Sequence, residues 1–262
     1  MADDGDSAQT LTDPMDPARA RALQATLGQA PSIVAGDPLP PFAHQVYFWD
    51  PQVPDRLGRD GHPARGGFIP DMGLPRRMWA AGRLVFHKPL RAGIRAERLS
   101  RIEAVTRKQG RSGPLAFVTL RHDIRQAQAL ALTEFQELVY REDGVAAEPP
   151  AAPDGAEVQE ERTFDPTLLF RYSALTFNGH RIHYDADYAR EVEGYAGLVV
   201  HGPLHAHLLM DMAQAQLGAL RNFQYRATSP VICGERVRYC WRAGRLWAAG
   251  TDGRLVMEAQ AS

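Results

Sequence analysis

Residues 202–220 read "GPLHAHLLMDMAQAQLGAL", and the fold turns on them. Leu204, Leu208, Met212 and Ala215 recur at helical spacing, and Leu209 and Met210 widen the apolar stripe. Gly202 stands where the chain enters this helix. Pro203 suits its first turn, where a missing N–H costs nothing. Downstream the period changes from 3.6 to 2. In "ERVRYCWRA" (235–243), Val237, Tyr239 and Trp241 fall on one face and Arg236, Arg238 and Arg242 on the other. "AGR" (243–245) turns the chain into "LWAAGTD", and "RLVMEAQA" (254–261) closes it. The second half therefore reads as a long helix followed by antiparallel strands, entered through a strand or short helix, "RTFDPTLLFRYSALTF".

Upstream, residues 142–160, "EDGVAAEPPAAPDGAEVQE", are rich in Ala, Pro, Gly and acid and read as a linker. Before them, from Ala80 to Tyr140, four strand-like runs follow one another with short breaks, the pattern of an antiparallel sheet. The helix candidate of this first half is shorter and less regular, "FAHQVYFW" (42–49). A sheet wrapped on a helix in each half would be a duplicated α+β unit. The expected division is a lead and helix over 1–35, a first unit over 36–141, the linker over 142–160 and a second unit over 161–262. Within the lead, "MADDGDSAQTLTDPMDP" reads as disordered. Asp16 and Pro17 open a helix in which Leu23 and Leu27 share a face.

Composition narrows the function. With 30 basic and 31 acidic residues the chain has no charge bias towards nucleic acid or an anionic membrane. No apolar run approaches the ~18 residues of a membrane span. Two cysteines, Cys233 and Cys240, make neither a disulfide framework nor a zinc site, and a cytoplasmic protein is the simple expectation. Nucleophile elbows of the GxSxG type, phosphate loops, GxGxxG turns and HExxH helices are all missing from the sequence.

The chemistry concentrates in "TFNGHRIHYDADYAREVEGYAGLVVHGPL", residues 176–204. His180 and His183 are three apart and His201 and His205 four apart, spacings that can serve a metal. Yet the first pair lies in a Gly-containing loop, His205 and His207 diverge on a helix, and no cysteine joins them. No metal is expected, and His205 and His207 read as helix residues with local partners. Asp185 and Asp187 read as caps of the next short helix. Acid–base chemistry fits better. Asn178 and His183 can meet at one water, and histidine is suited to moving its proton. Gly202, at a helix N-terminus, offers an unpaired N–H to a thioester oxygen that gains negative charge. A base, a water-holding amide and an oxyanion donor are the parts needed to add or remove water beside a thioester.

"FNGHRIHYD" (177–185), then "GYAGLVVHGPL" (194–204) and a helix, resembles the hydratase motif of MaoC-like (R)-specific enoyl-CoA hydratases. The resemblance implies an α+β double hot-dog fold, in which each antiparallel sheet wraps a helix. It puts the family's catalytic His on His183, its oxyanion Gly on Gly202 and its Asp on Asn178. An Asn there can orient water but cannot act as base. The "NGHRIHYD" version is similar to the 3-hydroxyacyl-thioester dehydratase branch. "LGRDGHPARGGFIPDMGLPRRMWAAGR" (57–83) and "KQGRSGPLAFVTLRH" (108–122) are similar to that branch's N-terminal hot dog, which lacks the catalytic pair. The implied protein is a hydro-lyase acting on a CoA or acyl-carrier-protein thioester, without a metal or redox cofactor, as monomer or homodimer. Its acyl group could be mesaconyl, itaconyl or 3-hydroxyacyl. A hot-dog thioesterase and a non-catalytic acyl-thioester-binding module are the alternatives. Arg76, Arg77 and Arg111 are candidates for the phosphates of CoA or for a solvated basic loop. Arg181 is a candidate for a free carboxylate or for orienting the loop. Tyr184 is a candidate pocket wall.

Overall fold

The computed structural model describes residues 8–64, 66–110, 113–142 and 148–262. In chain order the elements are β1 (Ala8–Asp13), α1 (Pro17–Thr26), β2 (Arg76–Phe86), β3 (Ala96–Gly110), β4 (Gly113–Gln126), β5 (Ala129–Arg141), β6 (Val158–Thr163), α2 (Pro166–Thr176), α3 (Ala186–Glu191), α4 (Gly202–Leu217), β7 (Asn222–Ala227), β8 (Arg236–Arg242), β9 (Arg245–Gly250) and β10 (Leu255–Ala261). All ten strands join one antiparallel sheet in the order β1-β3-β4-β5-β2-β7-β10-β9-β8-β6. Five strands come from each half. The seam is the β2–β7 pairing, from Ala81 opposite Arg226 to Val85 opposite Asn222.

Helix α4 lies on the inner face of the second-half strands and reaches across to β2. Leu204, Ala206, Leu209, Met210 and Ala213 are fully buried. Each of the larger ones contributes about 1.5–3 kcal/mol by leaving water. Burial is not confined to the predicted stripe: His205 and His207 are buried too, while Ala215, expected on that stripe, is exposed. A helix enclosed on most sides replaces the one-faced helix of the sequence reading, because a curved sheet covers more than one face.

Among the described residues of the first half no helix as long as α4 forms. Residues 42–49 make one 3-10 turn, Ala43–Val46, between Phe42 and Phe48, whose φ angles of 67° and 59° are left-handed. A helix cannot run through such residues. The turn is nevertheless core, with Phe42, Ala43, Val46 and Phe48 all buried.

Two further expectations change. The lead is ordered from Ala8: β1 pairs with β3 from Ala8 opposite Arg101 to Asp13 opposite Ala96. Buried Asp13 anchors it, accepting from Met15 N at 2.7 Å, Phe48 N at 3.0 Å and Arg19 Nη1 at 2.9 Å. Within 142–160, residues 143–147 lie outside the described residues. Beyond them the chain packs on the sheet rather than spanning open space. Ala152 N donates to Gly253 O, Ala152 and Ala156 cover Trp247 and Leu255, and Val158 opens β6. "RTFDPTLLFRYSALTF" supplies both a strand end and α2, capped by Asp165 Oδ1, which accepts from Leu168 N at 2.7 Å. Among the described residues no helix is long and apolar enough to cross a membrane.

Candidate active site

The loop between α2 and α3 is built by short-range bonds. Phe177 ends α2 in the left-handed conformation, φ 52°. Asn178 N donates back to Ser173 O, and Asn178 Oδ1 accepts from His180 N at 3.0 Å, an Asx turn. The amide Nδ2 of Asn178 has no hydrogen-bond partner among the described residues. Arg181–His183 then form a 3-10 turn that swings His183 inward until it is 6% exposed.

His183 Nδ1 lies 2.8 Å from the Val199 carbonyl. A carbonyl only accepts, so Nδ1 carries the hydrogen and Nε2 keeps its lone pair. Nε2 has no partner among the described residues, yet it is not shut off from open space. Burial first, then neighbouring His180, push the His183 pKa from 6.5 down to about 3, against the pull of the Val199 bond. The ring is thus a neutral acceptor at ordinary pH. It stacks on His201 with centroids 3.7 Å apart and planes at 19°. His201 is fully buried, with Nε2 2.8 Å from Ser173 Oγ, and it is the N-cap residue of α4. The stack therefore sets His183 beside the helix N-terminus, where Gly202 N–H makes no backbone hydrogen bond. A Cβ on Gly202 would come 3.0 Å from Trp79 Cε3, so glycine lets the Trp79 ring pack this close to the helix end.

The other wall comes from the first half, and sequence reasoning did not assign its residues. Arg181 N donates to Asp60 O at 2.9 Å. Gly61, at φ 84°, meets Gly179 so closely that a Cβ on Gly61 would lie 2.0 Å from Gly179 O. This contact carries Asp60 and His62 to the loop. His62 Nδ1 is 3.0 Å from Asp60 Oδ2, and the His62 and His180 rings are 4.4 Å apart. Burial brings His62 down to about 4, Asp60 opposing. Burial raises the Asp60 carboxyl, but its bond and charge contact with His62 outweigh this and hold it well below the carboxylate range. Among the described residues, Asp60, His62 and His180 are the grouping with metal-ligand spacing, each offering an atom within 4.8 Å of the others.

The remaining predicted residues fall as follows. Arg76 pairs with Glu193, Nε to Oε2 at 3.1 Å, so it braces the site wall. His180 Nε2 faces the same carboxylate at 4.0 Å, and His180 and Arg76 hold Glu193 at about 2, against burial. Arg77 lines the same cavity and has no ion-pair partner among the described residues. Arg181 pairs with Asp185 at 2.7 Å and lies over the Tyr188 ring at 4.2 Å. Half-exposed Tyr184 donates to Gly179 O at 2.8 Å. Asp185 caps α3, accepting from Tyr188 N at 3.0 Å, while Asp187 lies in its first turn. Arg111 lies outside the described residues. A cavity of about 990 Å³ opens beside this wall, bounded by Asp60, Arg77, His180 and Glu193 and continuing along the first-half sheet.

The model of the family described as hydroxyacyl-thioester dehydratase type 2 matches residues 42–233. Mesaconyl-C(4)-CoA hydratase of Chloroflexus aurantiacus is 45% identical over 253 residues, covering 92% of this chain and 90% of that one. The mitochondrial hydroxyacyl-thioester dehydratase type 2 of Schizosaccharomyces pombe is 29% identical over 239 residues, covering 80% of each. Among solved structures, HtdX of Mycobacterium tuberculosis superposes with a TM-score of 0.69 at 18% identity, covering 97% of this chain and 98% of that one. A second protein of that organism, described as a double hot-dog fold, gives 0.60 at 15% identity, covering 99% and 96%. At these identities the structural likeness is one of fold, and the ten-stranded sheet is a double hot dog.

Proposed function

The chain belongs to the hydroxyacyl-thioester dehydratase type 2 family, and from that premise we propose that it adds water reversibly to an enoyl thioester, with His183, Asn178 and Gly202 as the working groups. The observation that carries the reading is His183, whose Nδ1 hydrogen is held by Val199 while Nε2 is left free. Water held by Asn178 gives a proton to Nε2 as its oxygen bonds to the β-carbon. The π electrons move onto the thioester oxygen, which Gly202 N–H and the α4 N-terminus stabilise. The proton then passes from His183 to the α-carbon. Dehydration is the same path reversed: His183 removes the α-proton and water leaves from the β-carbon. His180, His62 and Asp60 hold the loop and its hydrogen-bond network beside this base.

The relative from Chloroflexus is named for mesaconyl-C(4)-CoA, so a mesaconyl thioester is the first substrate to offer. Coenzyme A is the proposed carrier, with Arg77 available to its phosphates. The free thiols Cys233 and Cys240 fit a reducing compartment, the cytoplasm.

The test is incubation with mesaconyl-C(4)-CoA and crotonyl-CoA. Loss of enoyl absorbance without release of free thiol is the expected result. Release of free thiol would make the protein a thioesterase, and binding without turnover would make it a carrier or sensor.

A further inference from the structure

Helix α4 begins against an aromatic stack that the hydration steps leave unused. Trp79, near the start of β2, comes from the first half, and Gly202 opens α4 in the second. A Cβ on Gly202 would lie 3.0 Å from Cε3 and 3.4 Å from Cζ3 of the indole, so the six-membered edge of Trp79 rests on the glycine. An oxygen that accepts from Gly202 N–H sits about 2.9 Å from that nitrogen. The thioester oxygen placed there, and the carbon that bears it, therefore lie beside Trp79. On the other hand of the same helix end, His183 is stacked on His201, the residue before Gly202. The reacting carbons thus lie among His183, Gly202 and Trp79.

The indole is held in place from behind. It stacks on Tyr225 with centroids 4.6 Å apart and planes at 23°, and Phe42 stands 6.5 Å away. Tyr225 in turn lies across Gly82, its opposite in the β2–β7 pairing, where a Cβ would come 2.1 Å from Tyr225 Oη. Phe42 and Tyr225 are buried, and Trp79 itself is only half-buried. Among the described residues Trp79 Nε1 makes no hydrogen bond, yet it is not shielded. Part of the ring therefore faces open space while the rest is backed by packed core, which leaves it little room to retreat.

Charge decides which end of the substrate meets this wall. The carrier arm of a coenzyme A ester bears phosphates, which cannot be buried without partners, so that arm leaves for solvent. The acyl end is the part that turns inward. Inward of Gly202 stands Trp79, with Tyr225 and Phe42 behind it.

We infer that Trp79 is a specificity-determining wall of the acyl pocket, admitting acyl groups of crotonyl or mesaconyl size and rejecting medium-length chains. The inference rests on the hydratase reading above. A longer chain has to displace a ring fixed by Tyr225 and Gly202, and forcing extra methylenes into a filled space is costly.

The experiment compares crotonyl-CoA with trans-2-octenoyl-CoA. The wild-type protein is expected to favour crotonyl-CoA in kcat/KM by about 100-fold or more, since a single methylene is worth about 10–200-fold in such a pocket. Trp79→Ala should move this ratio at least about tenfold towards octenoyl-CoA. Trp79→Phe keeps a ring against Tyr225 but shortens the wall. It should move the ratio less, and it decides the matter if Trp79→Ala does not fold. Where a folded variant turns over neither ester, calorimetric affinities for butyryl-CoA and octanoyl-CoA supply the same ratio. An unchanged ratio in the folded variants, or an equal loss on both esters, overturns the wall. A wild-type protein that hydrates both esters equally also overturns it while leaving the hydratase reading intact. A wild-type protein inert to every enoyl thioester overturns that reading, and the wall with it.

Discussion

The two halves of the sheet enclose different things. The second half closes on α4, whose buried Leu204, Leu209 and Met210 fill its inner face, and Gly202 N–H at the helix's N-terminal end makes no backbone hydrogen bond. The first half has a single 3-10 turn in the corresponding role and keeps a polar cavity against its sheet. Filling one half makes a rigid platform for His183 and Gly202. Leaving the other unfilled makes room for what the platform acts upon.

The largest effect should come from the filled half. His183→Ala removes a buried base whose unpartnered Nε2 is open to space, and turnover of mesaconyl-C(4)-CoA should fall about 10²-fold or more. A fully active variant breaks the assignment of the chemistry to this half. Asn178→Asp sharpens it: a carboxylate can hold the same water, so activity should persist, and a loss of both binding and rate would count against Asn178.

The contact between the halves can be cut at Gly61. An alanine there must adopt φ 84° with its Cβ 2.0 Å from Gly179 O. Strain of that kind costs about 1–3 kcal/mol. Gly61→Ala should lower the thermal midpoint by several degrees and reduce activity as well, because Asp60 and His62 leave the loop. Calorimetry and kinetics on one preparation check it. A variant that loses stability but keeps full activity would show that the first-half wall is not needed for the chemistry.

Acid should separate the halves more gently. His183 and His205 are held near 3 by burial, His62 and His122 near 4. The unfolded chain protonates such rings below about 6.5, while the folded chain keeps them neutral. Their contribution to stability is complete above that pH and is lost as the pH falls towards 3–4. Denaturant midpoints should therefore fall steadily from pH 7 to pH 5. His205→Leu should flatten this slope by at most about 1.4 kcal/mol per pH unit, even though it strands the Tyr239 hydroxyl that His205 Nδ1 now meets at 2.5 Å. An unchanged slope would mean that His205 is not neutral in the folded chain.

The filled half was the legible one. Its helix and strands carry strong periods, and Asp185 announces its cap by type and place. His183 and Gly202 stood out because histidine and a helix-entry glycine have few bland uses in that pattern. The unfilled half was legible only as strands. Nothing in "PFAHQVYFW" marks Phe42 and Phe48 as left-handed, since glycine usually takes that role. Edge strand β1 has a weak alternation and owes its order to β3. Asp60 and His62 reach the site through a backbone contact between two glycines remote in sequence, which no local pattern encodes. Ser100, His122 and Glu134 looked like ordinary polar strand residues, because a period of two tells which residues share a face but not which face turns inward.

Arg181 gives the smallest expected effect and the finest test of where carboxylates are read. It lies one residue from His180, in the filled half, and its charge could be taken for a substrate anchor. Its guanidinium is instead engaged by Asp185 through both Nε, at 3.1 Å, and Nη2, at 2.7 Å, and Nη1 donates to Arg59 O. An ion pair this exposed contributes little to stability. Arg181→Met should therefore lower the thermal midpoint slightly and reduce kcat/KM by no more than a few-fold, equally for mesaconyl-C(4)-CoA and 3-methylcrotonyl-CoA. A loss confined to the dicarboxylic substrate would mean that Arg181 touches its free carboxylate, since only a side chain touching that group can discriminate its absence.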